Sequence, residues 1–191
     1  MAAFLVLLLA VLSRILPHAF HAVSWNFTAV GGGLLFFGSR MNGAHSTAWK
    51  AVRIAIAVLA LMATDYYLTV YAYGYPFHLR GYIVTWAWYA LACLIGSQLL
   101  AKTSVLRVIA GTLASATSFY VLVDFAVWAG GRLYPHTLAG LTACYVAAIP
   151  FYRNDLVSTG LVAGALFGLP VLAAKIVDTL HAAQDNNIPA A

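Results

Sequence analysis

Seven stretches of this chain, at roughly 2–16, 27–41, 50–73, 80–101, 105–130, 138–151 and 154–180, run almost free of charge. A helix rises about 1.5 Å per residue, so about 20 apolar residues cross the hydrocarbon of a bilayer. The third, fourth, fifth and seventh stretches reach that length. The first, second and sixth fall short, and are expected to tilt, re-enter or lie half-buried under the others. Only 8% of the residues are charged and 63% are hydrophobic, with a mean hydropathy of +0.89. A soluble domain carries about 25% charged residues. The expectation is an all-α, polytopic integral membrane bundle of six or seven segments. It forms one domain over 1–181, with 182–191 as a mobile polar tail.

The ten Lys and Arg outnumber five Asp, there is no Glu, and the net charge is +5. These cations form no stripe of the kind nucleic acid needs, so no nucleic-acid partner is expected. Their placement reads as topology, because short cytoplasmic loops collect Lys and Arg. Arg40, Lys50 and Arg53 flank the loop 42–49, and Lys102 and Arg107 flank the next loop of the same parity. Loops 17–26, 74–79 and 131–137 carry only Arg132, with Arg14 and Arg80 at neighbouring helix ends. The N-terminus is therefore expected in the cytoplasm and those three loops outside. The first run lacks a basic lead, so it is expected as a membrane helix rather than a signal peptide. Cys93 and Cys144 sit inside apolar runs and are expected as small buried side chains.

Two carboxylates stand where lipid should exclude them. Asp65 lies deep in the third run and Asp124 deep in the fifth. A charge at the bilayer centre costs about 2.5–3.5 kcal/mol on insertion, so such residues are kept for a purpose. Tyr66, Tyr67, Tyr71, Tyr73 and Tyr75 follow the first, and Phe125 and Trp128 follow the second. On the same side fall His18, His21, Trp25 and Asn26, then Tyr82, Trp86 and Trp88, then Tyr134 and His136. Ligand clefts are mostly apolar and aromatic with a few polar anchors, so this inventory predicts an outward cavity. Its expected lining is Asn26, Asp65, Tyr66, Trp86, Asp124, Trp128, Tyr134 and His136. Asp65 and Asp124 would anchor polar or cationic groups, while Tyr66, Trp86 and Trp128 would stack. The loop 18–26 would be a lid, and Arg80 the charge partner of Asp65. Trp86 and Trp88 are two residues apart, so at most one is expected to face the cavity.

A different use of the same residues is structural. Tyrosines mark membrane interfaces, and each Asp can brace neighbouring helices. Ala139, Ala143 and Ala147, and again Gly160, Gly164 and Gly168, recur every four residues. That spacing keeps small residues on one face, where backbones approach closely. The two ladders are expected to lie against each other or to dock a partner.

Catalytic patterns are lacking. His18 and His21 have no third ligand nearby in sequence for zinc. Ser13 and Ser24 have no nucleophile setting, and the glycines at 31–33 have no following lysine, so they form no phosphate loop. The expectation is a protein that is not an enzyme and carries no metal or cofactor.

The segments LPHAFHAVSWNFTAVGGGLLFFG, TDYYLTVY, DFAVW and YPHTLAGLTACYVAAIPFYRNDL resemble an uncharacterised bacterial membrane-protein family of about this length. More distantly, the chain resembles the substrate-binding S components of energy-coupling factor vitamin transporters, with IPFYRNDL similar to the signal opening their last helix. That resemblance implies a six-helix protein of the bacterial inner membrane that captures a vitamin-like nutrient from outside. It also implies a transmembrane coupling subunit and cytoplasmic ATPases as partners. The first run departs from those proteins, which dock through small residues spaced by four on the first helix. The alternative class is a small non-transporting subunit or assembly factor acting through its packing ladders.

Overall fold

A computed structural model describes residues 1–19, 27–41 and 46–185. These residues form six α-helices: α1 Ala2–Ala19, α2 Val30–Ser39, α3 Thr47–Tyr67, α4 Ile83–Leu99, α5 Val105–Gly130 and α6 Leu138–Asp185. No strand occurs among the described residues. A π-helical turn, Leu68–Ala72, extends α3, and a 3-10 turn, Leu79–Gly81, leads into α4. With those extensions, Thr47–Ala72, Leu79–Leu99, Val105–Gly130 and Leu138–Leu180 are long and apolar enough to cross a membrane. Serine hydroxyls start two of them. Ser46 accepts from the Trp49 amide and Ser104 from the Arg107 amide, each satisfying a donor that the first turn leaves open.

The sixth and seventh apolar runs are one helix. α6 is 48 residues long with Pro150 and Pro170 inside it, and its roughly 72 Å is more than twice a hydrocarbon core. A membrane helix tolerates an internal proline when its neighbours re-satisfy the freed backbone. The polar Tyr152–Asp155 stretch, where the two runs meet, is therefore helical, with Tyr152, Asn154 and Asp155 half-buried and Arg153 exposed. α6 also continues to Asp185, through the start of the expected tail; residues 186–191 lie outside the described residues. α1 likewise runs past Pro17 to Ala19.

The short second run is the centre of the molecule. Every residue from Val30 to Gly38 is buried, as expected of a helix that is apolar all round. One side of α2 joins Leu34 and Phe37 to Leu7, Leu61, Trp88 and Ala92. The other side joins Leu35 and Phe36 to Leu100, Ala163 and Phe167. Glycine makes both contacts close. A Cβ on Gly38 would overlap the Cys93 carbonyl of α4, and one on Gly96 would overlap the Leu35 carbonyl of α2. On the α6 side, Gly31 meets Thr159 and Gly32 meets Val162. Cys93 and Cys144 are buried and free.

The glycine ladder on α6 behaves differently from its expectation. It shares a helix with Ala139, Ala143 and Ala147, so the two ladders cannot lie against each other. Within 4 Å, a Cβ on Gly164 or Gly168 would meet nothing, and one on Gly160 only the Thr112 methyl. α5 and α6 are joined instead by hydroxyls. Tyr120 donates to the Tyr145 carbonyl and Tyr145 to the Val121 carbonyl, both at 2.8 Å.

The two ends of the bundle differ in charge. Arg53 donates to the Arg40 carbonyl at 3.1 Å, with its guanidinium over the rings of Phe4 and Phe37. Arg107 reaches the Leu99 carbonyl at the same end. The opposite end carries the 73–78 and 131–137 connections.

Candidate functional site

Arg14, in the last turns of α1, is the hub of the polar interior. Its Nη2 meets Asp65 Oδ1 at 2.5 Å. Its Nη1 donates to Thr64 Oγ1 at 2.6 Å, to Tyr89 OH at 3.2 Å and to the Leu61 carbonyl at 3.5 Å. Asp65 is only 4% exposed. Trp86 Nε1 donates to its Oδ2 at 2.9 Å, and Tyr89 OH lies 3.3 Å from the same oxygen. Three helices thus converge on one carboxylate. The arrangement answers the cost of a charge in lipid, since a buried ion is tolerable only when it is paired and hydrogen-bonded.

The backbone just beyond Asp65 is shaped for this site. Thr69 Oγ1 donates to the Asp65 carbonyl at 2.7 Å, so its 2.5 Å partner Tyr82 OH must donate to it. That exchange occurs within the π turn, where the regular hydrogen-bond ladder of α3 widens. Phe77, Tyr82 and Trp86 stack in sequence, the first two with centroids 4.9 Å apart and planes 10° apart. The stack ties the 73–78 connection to the indole that holds Asp65.

A cavity of about 560 Å³ opens over the pair. Arg14, Asp65, Thr69 and Tyr82 line it, and Tyr73, Tyr75 and His78 border it from the connection. A second, smaller cavity of about 320 Å³ lies between α4, α5 and α6, lined by Trp88, Tyr89, Phe119, Tyr120, Asp124, Tyr152 and Asp155. Arg14 and Thr28 line both. The larger volume falls within the usual range of ligand pockets and the smaller sits at its lower edge.

The residues singled out from sequence scatter across these features. Asp65 lines the larger cavity and Asp124 the smaller, so the two do not share one site. Trp86 reaches the larger cavity only through Asp65, while Trp88, buried, lines the smaller and donates to Ser118 Oγ at 3.0 Å. Tyr66 packs edge-on to Phe77, with centroids 5.2 Å apart, and lines neither cavity. Trp128 donates to the Pro135 carbonyl at 3.0 Å and meets the His136 ring edge-on, away from both cavities, as is Tyr134. Asn26 and the rest of the proposed 18–26 lid lie outside the described residues or have side chains that are not described. Arg80 is exposed and is not the partner of Asp65; Arg14 is.

Sequence reasoning missed Arg14, Tyr89, Thr69 and Asp155. Arg14 carried the available signal, because a cation near the end of an otherwise apolar run needs an anion inside the membrane.

The model of a family described as "Family of unknown function (DUF6580)" matches residues 1–181. No curated protein and no solved structure matches the chain.

Proposed function

We propose that this chain, which belongs to the DUF6580 family of unknown function, binds a small molecule in the larger cavity and presents it for uptake. The supporting observation is the cavity of about 560 Å³ set over the Arg14–Asp65 pair and bordered by Tyr73, Tyr75 and Tyr82. It offers a ligand ring surface, hydroxyls and a charge pair, which suits a polar or heteroaromatic nutrient. The role is binding without chemistry. The resemblance to S components of energy-coupling factor transporters supports the uptake reading. In it, a transmembrane coupling subunit and cytoplasmic ATPases supply the energy, since the chain has no nucleotide-binding motif. The cavity would open to the outside of a bacterial inner membrane, because Arg40, Arg53 and Arg107 gather at the other end.

One observation favours the alternative, a non-transporting subunit or assembly factor. Both oxygens of Asp65 already have protein donors, as a purely structural brace requires. Gly81 separates the two readings. It lines the larger cavity, and a Cβ there meets nothing within 4 Å. Gly81→Trp should fill the cavity without disturbing the fold. Mass spectrometry of protein extracted in mild detergent should find a small molecule with the parent and none with Gly81→Trp, at matched apo melting temperatures. An empty parent, or equal occupancy in both, would sink the binding role.

A further inference from the structure

The smaller cavity holds two acidic side chains that have no salt-bridge partner among the described residues. Asp124 reaches it from α5 and Asp155 from α6. Asp155 Oδ1 is 3.5 Å from Thr159 Oγ1, while its Oδ2 is shut from solvent with no hydrogen-bond partner among the described residues. Arg14 is the one cation on the cavity wall. Its guanidinium is engaged by Asp65, Thr64, Tyr89 and the Leu61 carbonyl. Among the described residues, Arg14–Asp65 is the one salt bridge. Carboxylates withdrawn from water without a counter-charge are costly, and a ligand that brings that charge removes the cost.

The rest of the wall says what kind of cation fits. Trp88, Phe119, Tyr120, Phe151 and Tyr152 line the same cavity as the two carboxyl groups. Aromatic faces attract ammonium groups, most strongly where water is excluded. A metal ion asks instead for several oxygen, nitrogen or sulfur ligands. No group of three His, Cys, Asp or Glu side chains that could hold one occurs among the described residues. We propose that the smaller cavity binds a small organic ammonium ion, its charge placed between Asp124 and Asp155 and its carbon skeleton against the Trp88, Phe119, Tyr120 and Tyr152 rings. This site shares Arg14 and Thr28 with the wall of the larger cavity but is a different cavity, and it stands whether or not the larger one takes a nutrient.

The test uses the full chain in detergent with 2-phenylethylammonium chloride as probe. Neutral 2-phenylethanol and sodium chloride at equal ionic strength are the controls. The ammonium should raise the melting temperature saturably, and neither control should. Asp124 is half-buried and makes no side-chain bond among the described residues, so Asp124→Asn should melt like the parent without probe and bind it at least tenfold more weakly. Asp155→Asn should weaken binding as much, with an apo melting temperature equal to or above the parent's. Gly81→Trp should leave the response intact. Three results would each overturn the proposal: no saturable shift, an equal shift with 2-phenylethanol, or unchanged affinity in both aspartate variants. A response lost in Gly81→Trp would do so as well, by placing the cation in the larger cavity.

Discussion

Arg14 and Asp65 lie 51 residues apart in the chain and 2.5 Å apart in space. Both are shielded, the side chains being 17% and 3% exposed, so solvent screens the pair little. Removing one partner of such a pair strands the other charge, at about 3–5 kcal/mol. Asp65→Asn should therefore unfold at markedly lower denaturant in detergent micelles. Arg14→Met combined with Asp65→Leu should recover much of that loss, because no charge is then left unpaired. Equal or greater loss in the double variant would mean that the pair contributes net stability instead. The carboxylate's need for a partner was legible in the sequence. The partner was not: Arg80 is nearer along the chain, but α1 lies beside α3 in the bundle, and Arg80 sits in an exposed turn.

At the scale of the helix, α2 and α6 reverse the weight that pattern alone assigns to their glycines. Gly38 and Gly96 face backbone carbonyls across the α2–α4 crossing, and a carbonyl cannot rotate aside as a side chain can. Gly38→Ala and Gly96→Ala should each destabilise by about 1–3 kcal/mol or more, the range of an overpacked core. Gly164 has nothing within 4 Å of an added Cβ. Gly164→Ala should be neutral or stabilising by up to about 1 kcal/mol, the gap in helix propensity. Melting temperatures of the three variants in one detergent decide this, and a Gly164→Ala loss matching Gly38→Ala would refute the assignment. A spacing of four reports a shared face, whereas only neighbouring helices determine whether that face is covered. For the same reason, the sequence of α6 reads as two runs. The Tyr152–Asp155 stretch looks like a break in sequence, but Thr117 meets Tyr152, Thr159 meets Asp155, and both Tyr152 and Asp155 line the smaller cavity.

For the molecule as a whole, the basic residues at one end and the tyrosine-lined cavity towards the other predict an orientation. His78 lies in the exposed connection at the cavity, and Thr103 in the exposed turn between α4 and α5. Cys93 and Cys144 are buried and should contribute little background. His78→Cys should react with an impermeant maleimide in intact cells, and Thr103→Cys only after permeabilisation. The opposite pattern would invert the topology.

The helical class, the helices long and apolar enough to cross a membrane, and the need of Asp65 for polar partners were readable in the chain. Each follows from local chemistry: run length against bilayer thickness, and the cost of a carboxylate in lipid. Pairing, cavity membership and helix continuity were not readable in that way. They depend on which helices become neighbours. Arg14 pairs with Asp65, Asp155 lines one cavity with Asp124, and the ten-residue α2 takes the centre, because helices distant in the chain pack side by side. Hydropathy along a single run carries no record of such neighbours, since lipid and a facing helix are equally apolar.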